Sequence, residues 1–305
     1  MGTLRLGTAP CCWGIEHSEK ADNPPWQLVL REAALTGAKG LELGPYGYFP
    51  TQAVQLQQEL VSNDITLTAG TLYEDFSITA DLPYLLEKTR KICSLLVAVQ
   101  QERCHLVVID AVKKERNATA GQSALAKRLP RREWAVLVDH VKAVAKLAKE
   151  EYGMKAVVHP HAGGYIEYRD ETERLLNDCD SSLLGLCLDS GHVAYAGEDP
   201  VQSLLYFQKR LEYVHFKDIR KDVYDKSIEQ GLGFFEACNR GVMCPLGKGW
   251  LDYPAILGAL SAIGYSGWVT IEQERNALDC LKTLSELQES IAYIERSSRG
   301  WSYGN

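Results

Sequence analysis

The sequence predicts a single-domain α/β protein, a (β/α)8 or TIM barrel. Short apolar runs alternate with helical patterns along the whole chain, and no linker or shift in composition divides it. Four consecutive runs end in metal-ligand residue types, as the carboxyl ends of barrel strands do. We therefore predict one barrel over residues 1–298, an active site at the C-terminal rim of its strands, and a tail over 299–305.

The strands are predicted from short apolar runs that stop at Gly, Pro or a charged residue. Strands that are covered on both faces read as continuous Val, Ile and Leu runs rather than as an alternating pattern. Eight such runs are present, at 4–9, 40–45, 65–69, 105–110, 155–159, 184–189, 211–215 and from 268 onward. Eight runs in one chain favour a closed barrel.

The helices are predicted from apolar residues that recur every three or four positions. The clearest helix covers 131–151, where Trp134, Leu137 and Val141 share a face and Gly153 suits the C-terminal cap, while His140 is expected at the surface. Further helices are predicted at 24–34, 51–60, 82–99, 170–177, from 200, at 253–263 and at 278–296. In the last helix, the residues expected to face inward are Leu281, Leu284, Ile291 and Ile294.

Two segments lack a regular pattern. Residues 113–132 are rich in charge, Gly and Ser and are expected to form a long loop over the rim that could act as a lid. Residues 220–250 form a polar insertion with one predicted helix and a glycine-rich turn. That turn matches neither a dinucleotide fingerprint nor a phosphate loop, so we assign it no nucleotide role.

Composition limits the classes of partner. The net charge of −7 argues against nucleic acid and anionic membranes, because binding to either uses clustered Lys and Arg. No run approaches the roughly 18 apolar residues of a membrane span, and the start of the chain lacks a signal-peptide core, so a cytoplasmic protein is expected. The nine cysteines, an odd number without a Cys-x-x-Cys pair, are interpreted as reduced thiols.

The fifth to eighth predicted strands each end in a group that can bind a cation. These groups are His159, Asp189, His215 and Glu272. Because the ends of parallel barrel strands meet at one rim, we predict that they form a metal site. Mixed nitrogen and oxygen ligands suit Mn²⁺, Co²⁺ or Zn²⁺ better than Ca²⁺, with Mn²⁺ or Co²⁺ preferred here and Zn²⁺ as the further option.

Two residues near the start of the chain have two interpretations each. Glu42 lies between two leucines of the second strand and faces either the barrel mouth or a structural cation. Trp13 follows the first strand and lies either over a substrate pocket or in the barrel core.

Several motifs carry a resemblance to a known family. They are His159-Pro-His161-Ala-Gly-Gly, Leu188-Asp189-Ser-Gly-His192, His215-Phe-Lys217-Asp218, Pro245-Leu-Gly-Lys-Gly before Asp252-Tyr253, and Gly267-Trp268-x-x-Ile-Glu272-Gln-Glu274. Together they resemble the xylose isomerase-like barrel superfamily, and within it the inosose dehydratases and their relatives. The resemblance covers about 4–276 and is most specific over 155–276.

The resemblance implies the same four metal ligands and substrate contacts from His192 and Lys217. Most isomerases and epimerases of the superfamily carry Glu where this chain has His159, which favours the dehydratase branch and leaves His161 or Glu167 as substitute ligands. We assign Trp13, His161, Glu167 and Glu274 to substrate binding and His192, Lys217 and Glu42 to catalysis.

The implied reaction is loss of water from a cyclic polyol ketone such as 2-keto-myo-inositol, within carbohydrate metabolism and myo-inositol catabolism. A proton alpha to the carbonyl leaves and the beta hydroxyl departs. The candidate proton carriers are His192, Glu42, Lys217 and Glu274; His192 is favoured because the pKa of imidazole lies near the operating pH, and base and acid are left unassigned. The alternative is a ketose isomerase or epimerase on the same scaffold. The partner is then a small sugar or inositol derivative, and a homodimer is expected at the level of the family.

A DNA-repair endonuclease of the same superfamily is a poorer match. That branch implies a trinuclear zinc site with extra histidines on the second and third strands. Here those strands offer Glu42 and no histidine, and the chain is acidic.

Overall fold

Eight parallel strands form a closed barrel in the computed structural model, which describes residues 3–99, 103–297 and 302–303. The strands are Thr3–Thr8, Gly40–Glu42, Thr66–Glu74, His105–Asp110, Lys155–Val158, Leu184–Asp189, Leu211–Phe216 and Gly267–Ile271. Each strand pairs with the next in the chain, and the eighth pairs with the first from Leu4↔Gly267 to Thr8↔Ile271. The predicted barrel and its eight strands are confirmed.

Helices cover the outside of the barrel and parts of its rim. The α-helices are Trp26–Leu35, Ala53–Ser62, Leu82–Val99, Lys114–Asn117, Arg131–Tyr152, Arg169–Asp178, Ser190–Tyr195, Pro200–Phe207, Lys221–Glu229, Phe234–Asn239, Tyr253–Ala262 and Thr283–Ser297. Short 3₁₀ helices occupy Pro10–Trp13, Thr79–Asp81 and Ala277–Lys282. The helix Arg131–Tyr152 precedes the fifth strand and ends at Gly153. The φ of Gly153 is 64°, as a left-handed C-cap requires.

The barrel interior below the rim is packed with side chains. Val157, Cys187, Tyr213 and Trp268 form one buried cluster there. The Tyr213 hydroxyl is hydrogen bonded to the Thr270 hydroxyl at 2.6 Å and donates to that of Thr68 at 2.9 Å. Because side chains two residues apart on a strand share a face, the residues two positions further along these strands also point inward, toward the rim.

Two segments predicted as irregular contain ordered structure. The segment 113–132 includes the helix Lys114–Asn117, whose Arg116 is fully buried and hydrogen bonds to Glu171, so it is anchored rather than a free loop. The insertion 220–250 contains two helices. A short antiparallel pair closes its base, formed by Asp218–Ile219 before it and Met243–Cys244 within it.

Three predictions about exposure are wrong. His140 is 4 % exposed because it lies on the face of its helix that packs inward beside Val141. Leu281 is 92 % exposed, since the last helix begins only at Thr283 and a 3₁₀ turn precedes it. Leu284, which was also expected to face inward, is half-buried, and the buried residues of that helix's first turns are Thr283 and Leu287.

The C-terminal segment is described only in part. Ser302–Tyr303 pairs in parallel with the beginning of the first strand, at Thr3 and Leu4. The rest of the predicted tail and its boundary at 298–299 lie outside the described residues. Within the described ranges, the helices are all too short or too polar to cross a membrane.

Candidate metal centre and active site

The four predicted metal ligands meet at the C-terminal rim of the barrel. His159 and Asp189 lie two residues beyond Val157 and Cys187 of the interior cluster, and His215 lies two beyond Tyr213. Glu272 follows the end of the eighth strand. One ligand atom from each residue lies within 4.8 Å of the others, and all four residues are buried.

Direct contacts link these side chains in pairs. His159 Nε2 is 3.3 Å from Asp189 Oδ2, and His215 Nδ1 is 3.0 Å from Glu272 Oε2. Asp189 and His215 are register partners on adjacent strands. The other oxygen of Asp189 accepts the backbone N–H of His192 at 2.9 Å, because Asp189 is the N-cap of the helix Ser190–Tyr195. Backbone structure thus fixes the ligand orientation.

Glu42 lies beside His215 and also borders the cavity at the barrel mouth. The register shifts between Leu41 and Glu42 on the second strand, and such an irregularity re-aims a side chain. Glu42 Oε1 is 2.8 Å from His215 Nε2, so His215 presents Nδ1 to the other ligands. A carboxylate behind a metal-binding histidine is the usual arrangement for fixing its ring and tautomer.

Lys217 brings an ammonium group to the same carboxylates. Its Nζ is 2.8 Å from Asp189 Oδ2, 2.6 Å from Glu272 Oε2 and 2.8 Å from Glu274 Oε1. Burial alone would lower the pKa of Lys217, but these three carboxylates raise it well above its ordinary value. Gly191 is required beside it, because an added Cβ would lie 2.4 Å from the Cβ of Lys217.

The ligand pKa values show how strongly the cluster is coupled. Burial opposes ionisation of Asp189 and Glu272, yet Lys217 and neighbouring imidazoles hold the pKa of both carboxyls well below the usual range. Burial would also lower the pKa of His215, but Cys187, Glu272 and Glu42 raise it well above its ordinary value. Asp189 and Glu272 therefore stay ionised although they are buried.

A second cluster lies beside the first and consists of His161, His192 and Glu274. The two imidazole rings are 4.2 Å apart between centroids, and His192 Nε2 is 3.6 Å from Glu274 Oε1. Burial lowers the pKa of His161 and of His192 well below the usual value, with neighbouring imidazoles adding to the shift of His161 and Lys217 to that of His192. Both rings are neutral at physiological pH.

Both clusters border a cavity of about 480 Å³ that opens at the rim. His161, Lys217 and Glu274 line it, as do His159, His215, Glu272 and Glu42, whereas His192 lies behind His161. Sequence reasoning missed Glu16, which also lines the cavity and whose pKa is raised to about 8 by burial and by Glu274. Its position just after the first strand is the signal that could have found it.

Trp13 and Glu167, both predicted to bind substrate, are placed elsewhere. Trp13 is fully buried in the hydrophobic core, and its indole N–H donates to Glu32 at 2.7 Å. Glu167 accepts backbone N–H groups of Gly121 and Gly163 and faces Arg116, so it holds two loops together. Neither is among the residues lining the cavity, and both predictions are corrected: the Trp13 indole is in the core and the Glu167 carboxylate is held between loops.

The first cluster fits a divalent cation. His215 Nδ1 and Glu272 Oε2 face each other at 3.0 Å, yet neither this nitrogen nor Nε2, which is 2.8 Å from Glu42 Oε1, makes an aligned hydrogen bond among the described residues. Such a close but unaligned contact is expected when the nitrogen and the oxygen both point at a common position, where an ion would bind, and not at each other. Two imidazoles and two carboxylates would supply nitrogen and oxygen ligands with partial charge balance.

Comparison with known proteins decides the family. The family model described as "Xylose isomerase-like TIM barrel" matches residues 30–297. The chain belongs to this family. It is 30% identical over 280 residues to an inosose dehydratase of Geobacillus kaustophilus, covering 90% of this chain and 88% of the relative. An inosose dehydratase of Bacillus thuringiensis is 28% identical over 283 residues, covering 90% and 91%.

Solved structures share the fold at lower identity. The probable 3-DHS dehydratase AsbF of Bacillus anthracis superposes with a TM-score of 0.71 at 16% identity, covering 97% of this chain and 99% of that one. The IOLI protein with a bound zinc atom gives 0.70 at 17%, covering 99% of both. D-allulose 3-epimerase from Methylomonas sp. in complex with D-allulose gives 0.69 at 18%, covering 97% and 98%. The names of the relatives indicate an enzyme of this family.

Proposed function

We propose that this protein is a metal-dependent dehydratase that removes water from a cyclic polyol ketone such as 2-keto-myo-inositol. The curated relatives that align over 90% of the chain are named inosose dehydratases. The solved neighbours include both a dehydratase and sugar epimerases, so the choice between these reactions depends on the site itself. We further propose that it acts in the cytoplasm, in myo-inositol catabolism.

The charge of the cavity wall is the observation that carries the substrate class. Of the two lysines that line the cavity among the described residues, Lys88 is paired with Glu74, and Lys217 contacts three carboxylates. No arginine of the described chain lines it. A substrate with its own carboxylate would find no free cation there, whereas a neutral polyol finds hydroxyl and carboxylate partners such as Tyr73 and Glu16.

The chemistry divides between an ion and the protein. A divalent metal held by His159, Asp189, His215 and Glu272 supplies Lewis-acid polarisation of a ketone. Lys217 places its positive charge at the edge of the same cluster, where negative charge develops as a proton leaves the carbon next to the carbonyl. His161, which lines the cavity beside the ligands, is placed to accept a proton.

The fifth-strand ligand favours dehydration over epimerisation. His159 stands where most isomerases and epimerases of the superfamily that this chain resembles carry Glu, and its imidazole lies 3.3 Å from Asp189 as a nitrogen ligand in place of a carboxylate. The mixed ligand set favours Mn²⁺ or Co²⁺, and the zinc in the IOLI protein makes Zn²⁺ the further candidate.

The test compares substrates and metals in one assay. Protein freed of metal with a chelator is loaded with Mn²⁺, Co²⁺ or Zn²⁺ and incubated with 2-keto-myo-inositol or with ketohexoses. We expect an enone-type absorbance with the inosose only, and turnover that disappears on chelation and returns with metal. Epimerised ketohexose without dehydration would assign the chain to the epimerases, and full activity after chelation would refute the metal role.

A further inference from the structure

The cavity extends outward above the second strand. That strand, Gly40–Glu42, has three residues, whereas the third strand, Thr66–Glu74, has nine and stays paired with the fourth up to Glu74↔Asp110. The chain turns away soon after the second strand, at Gly44, whose φ is 62°. A short strand beside a long one leaves a gap in the wall of the rim.

We call the gap above this strand the strand-2 cleft. The turn after the first strand borders it on one side with Glu16 and Glu19. The end of the third strand and the helix after it border it on the other side with Glu74, Tyr84 and Lys88. Because Glu19 and Tyr84 are exposed, whereas the four metal ligands are buried, the cleft is the outer end of the cavity.

The volume of the cavity exceeds that of one polyol ring. At the packing density of organic solids, a ring with about twelve heavy atoms, such as an inosose, fills roughly 150–200 Å³. The cavity measures about 480 Å³, in the range of sites that hold drug-sized ligands. A single ring held at the metal cluster therefore fills less than half of the cavity, and the remainder has room for a second ring.

Two tyrosines give the cleft aromatic walls. Tyr46, in the turn after the second strand, is half-buried and packs against the hydrophobic core. Tyr84 is 51 % exposed, yet its hydroxyl donates to Glu74 at 3.0 Å and Lys88 Nζ lies 5.8 Å from its ring centroid. Both rings are thus held in place, and an aromatic face can pack against the C–H face of a sugar ring.

The charges of the cleft favour an uncharged ligand. Lys88 is paired with Glu74, and Glu16 and Glu19 add two carboxyl groups on the other side of the second strand. Carboxylates accept hydrogen bonds from sugar hydroxyls, whereas a phosphate or a second carboxylate beside them would be repelled. A neutral glycosyl group matches both the aromatic rings and the carboxyl groups.

We infer that the strand-2 cleft binds a second, uncharged sugar ring, so that the preferred substrate is a cyclic polyol ketone carrying a glycosyl group. The identity of the first ring rests on the proposed dehydration, whereas the cleft belongs to the cavity whatever the reaction. Tyr73 joins the two parts, because it precedes Glu74 on the third strand and its ring lies 5.7 Å from that of His161. Tyr46 and Tyr84 are then specificity-determining residues.

Binding is measured with unreactive ligands. Isothermal titration calorimetry on the full-length protein with added Mn²⁺ compares myo-inositol with a galactosyl-myo-inositol, which carries one neutral second ring. We expect the galactosyl ligand to bind about tenfold more tightly, because its second ring packs on the two tyrosines. Equal or weaker binding of this ligand, binding of neither ligand, or tighter binding of a myo-inositol phosphate would overturn the inference.

A matched pair of tyrosines locates the second ring. Tyr84→Ala should reduce the preference for the galactosyl ligand over myo-inositol to less than about threefold, and Tyr84→Phe, which keeps the ring, should retain most of it. The control is Tyr206→Ala on the outer helix Pro200–Phe207. Tyr206 is 48 % exposed and its hydroxyl likewise donates to a glutamate, Glu173, at 2.8 Å. An unchanged preference in Tyr84→Ala, or an equal loss in Tyr206→Ala, would refute the assignment.

Dehydration of 2-keto-myo-inositol separates this inference from the proposed function. If the protein dehydrates the inosose but the galactosyl ligand binds no better than myo-inositol, the strand-2 cleft is not a sugar subsite and the proposed function stands. If the galactosyl ligand binds better and the inosose is not dehydrated, the proposed reaction fails and the second-ring subsite stands.

Discussion

Two buried ion networks lie in this barrel, and they differ in their balance of charge. The loop network consists of Arg116, Arg128, Glu167 and Glu171, and it joins the loops after the fourth and fifth strands. The rim network consists of Lys217, Asp189, Glu272 and Glu274. The two buried carboxylates of the first meet two guanidinium groups, of which that of Arg128 also pairs with the exposed Asp170, whereas the three buried carboxylates of the second meet one ammonium group and the imidazole of His215.

Hydrogen bonding follows the same division. In the loop network, Glu167 accepts two backbone N–H groups and Glu171 accepts from both arginines and from the backbone of Glu167 and Tyr168. Among the described residues, Arg116 Nε is the buried atom of this network without a hydrogen-bond partner, whereas at the rim Glu274 Oε2, Nδ1 of His159 and both ring nitrogens of His215 are without one. Buried polar atoms normally have hydrogen-bond partners. We therefore interpret the loop network as structural and the rim network as a site that can bind a cation and a substrate.

The largest expected effect comes from removing a rim carboxylate. Asp189→Asn keeps the shape of the side chain but removes the charge that binds the ion. We expect metal content after dialysis and turnover to fall together, by more than the upper range of about 100-fold known for partners outside the ligand set. Metal analysis and steady-state kinetics on the same preparation measure both. A variant that retains metal but loses turnover would remove Asp189 from the ligand set.

Neutralising the cation of each network gives a matched pair. Without metal, Lys217→Met and Arg116→Met should each lower the free energy of unfolding by about 3–5 kcal/mol, because each leaves buried carboxylates without their partner. Added metal should restore much of the stability of Lys217→Met and none of that of Arg116→Met. Urea unfolding with and without metal makes this comparison.

Activity should separate the same pair. Lys217→Met is expected to lose turnover while still binding metal, whereas folded Arg116→Met should keep its kcat, since Arg116 is remote from the cavity lining. If metal restored the free energy of unfolding of both variants equally, the rim network would not differ from the loop network in its ability to bind metal.

Outer support of the ligands should have a smaller effect. Glu42→Gln leaves His215 with an amide partner, and we expect metal affinity to fall by about 10–100-fold because the ring loses the carboxylate behind Nε2. Competitive titration with a chromophoric chelator measures the affinity. The control is Glu171→Gln, a buried carboxylate of the loop network, whose metal affinity should stay at the wild-type value. An unchanged affinity in Glu42→Gln would show that Glu42 does not orient His215.

The sequence predicts the barrel and the strand-end ligands because both depend on local periodicity. Apolar runs define the strands, and the two-residue period places His159, Asp189 and His215 on the inner face above Val157, Cys187 and Tyr213. The choice among other charged residues near the rim is not local. Glu167 and Glu274 both follow strand ends, but long-range neighbours, Arg116 for one and Lys217 for the other, decide their roles.

The positions of individual aromatic side chains are not predicted from the sequence, for the same reason. The sequence allows Trp13 to lie either over the pocket or in the core. The hydrogen bond from its indole N–H to Glu32, on a helix outside the barrel, shows that the indole lies in the core. The orientation of the His161 and His192 rings depends on one peptide unit, Ala162, whose two polar groups face different rings. No pattern of residue types encodes that arrangement.

The smallest expected effect is a change in the pH dependence of stability at Glu16. Burial and Glu274 raise its pKa from 4.5 to about 8. Between these values the unfolded chain releases this proton while the folded protein keeps it, so the unfolded state binds fewer protons and the free energy of unfolding falls as pH rises. Glu16→Gln should flatten the slope between pH 4.5 and pH 8, measured by urea unfolding of metal-free protein. Glu19→Gln removes an exposed charge from the same turn and serves as the control. If Glu16→Gln and wild type keep parallel curves, Glu16 is ionised and adds a further negative charge to the rim.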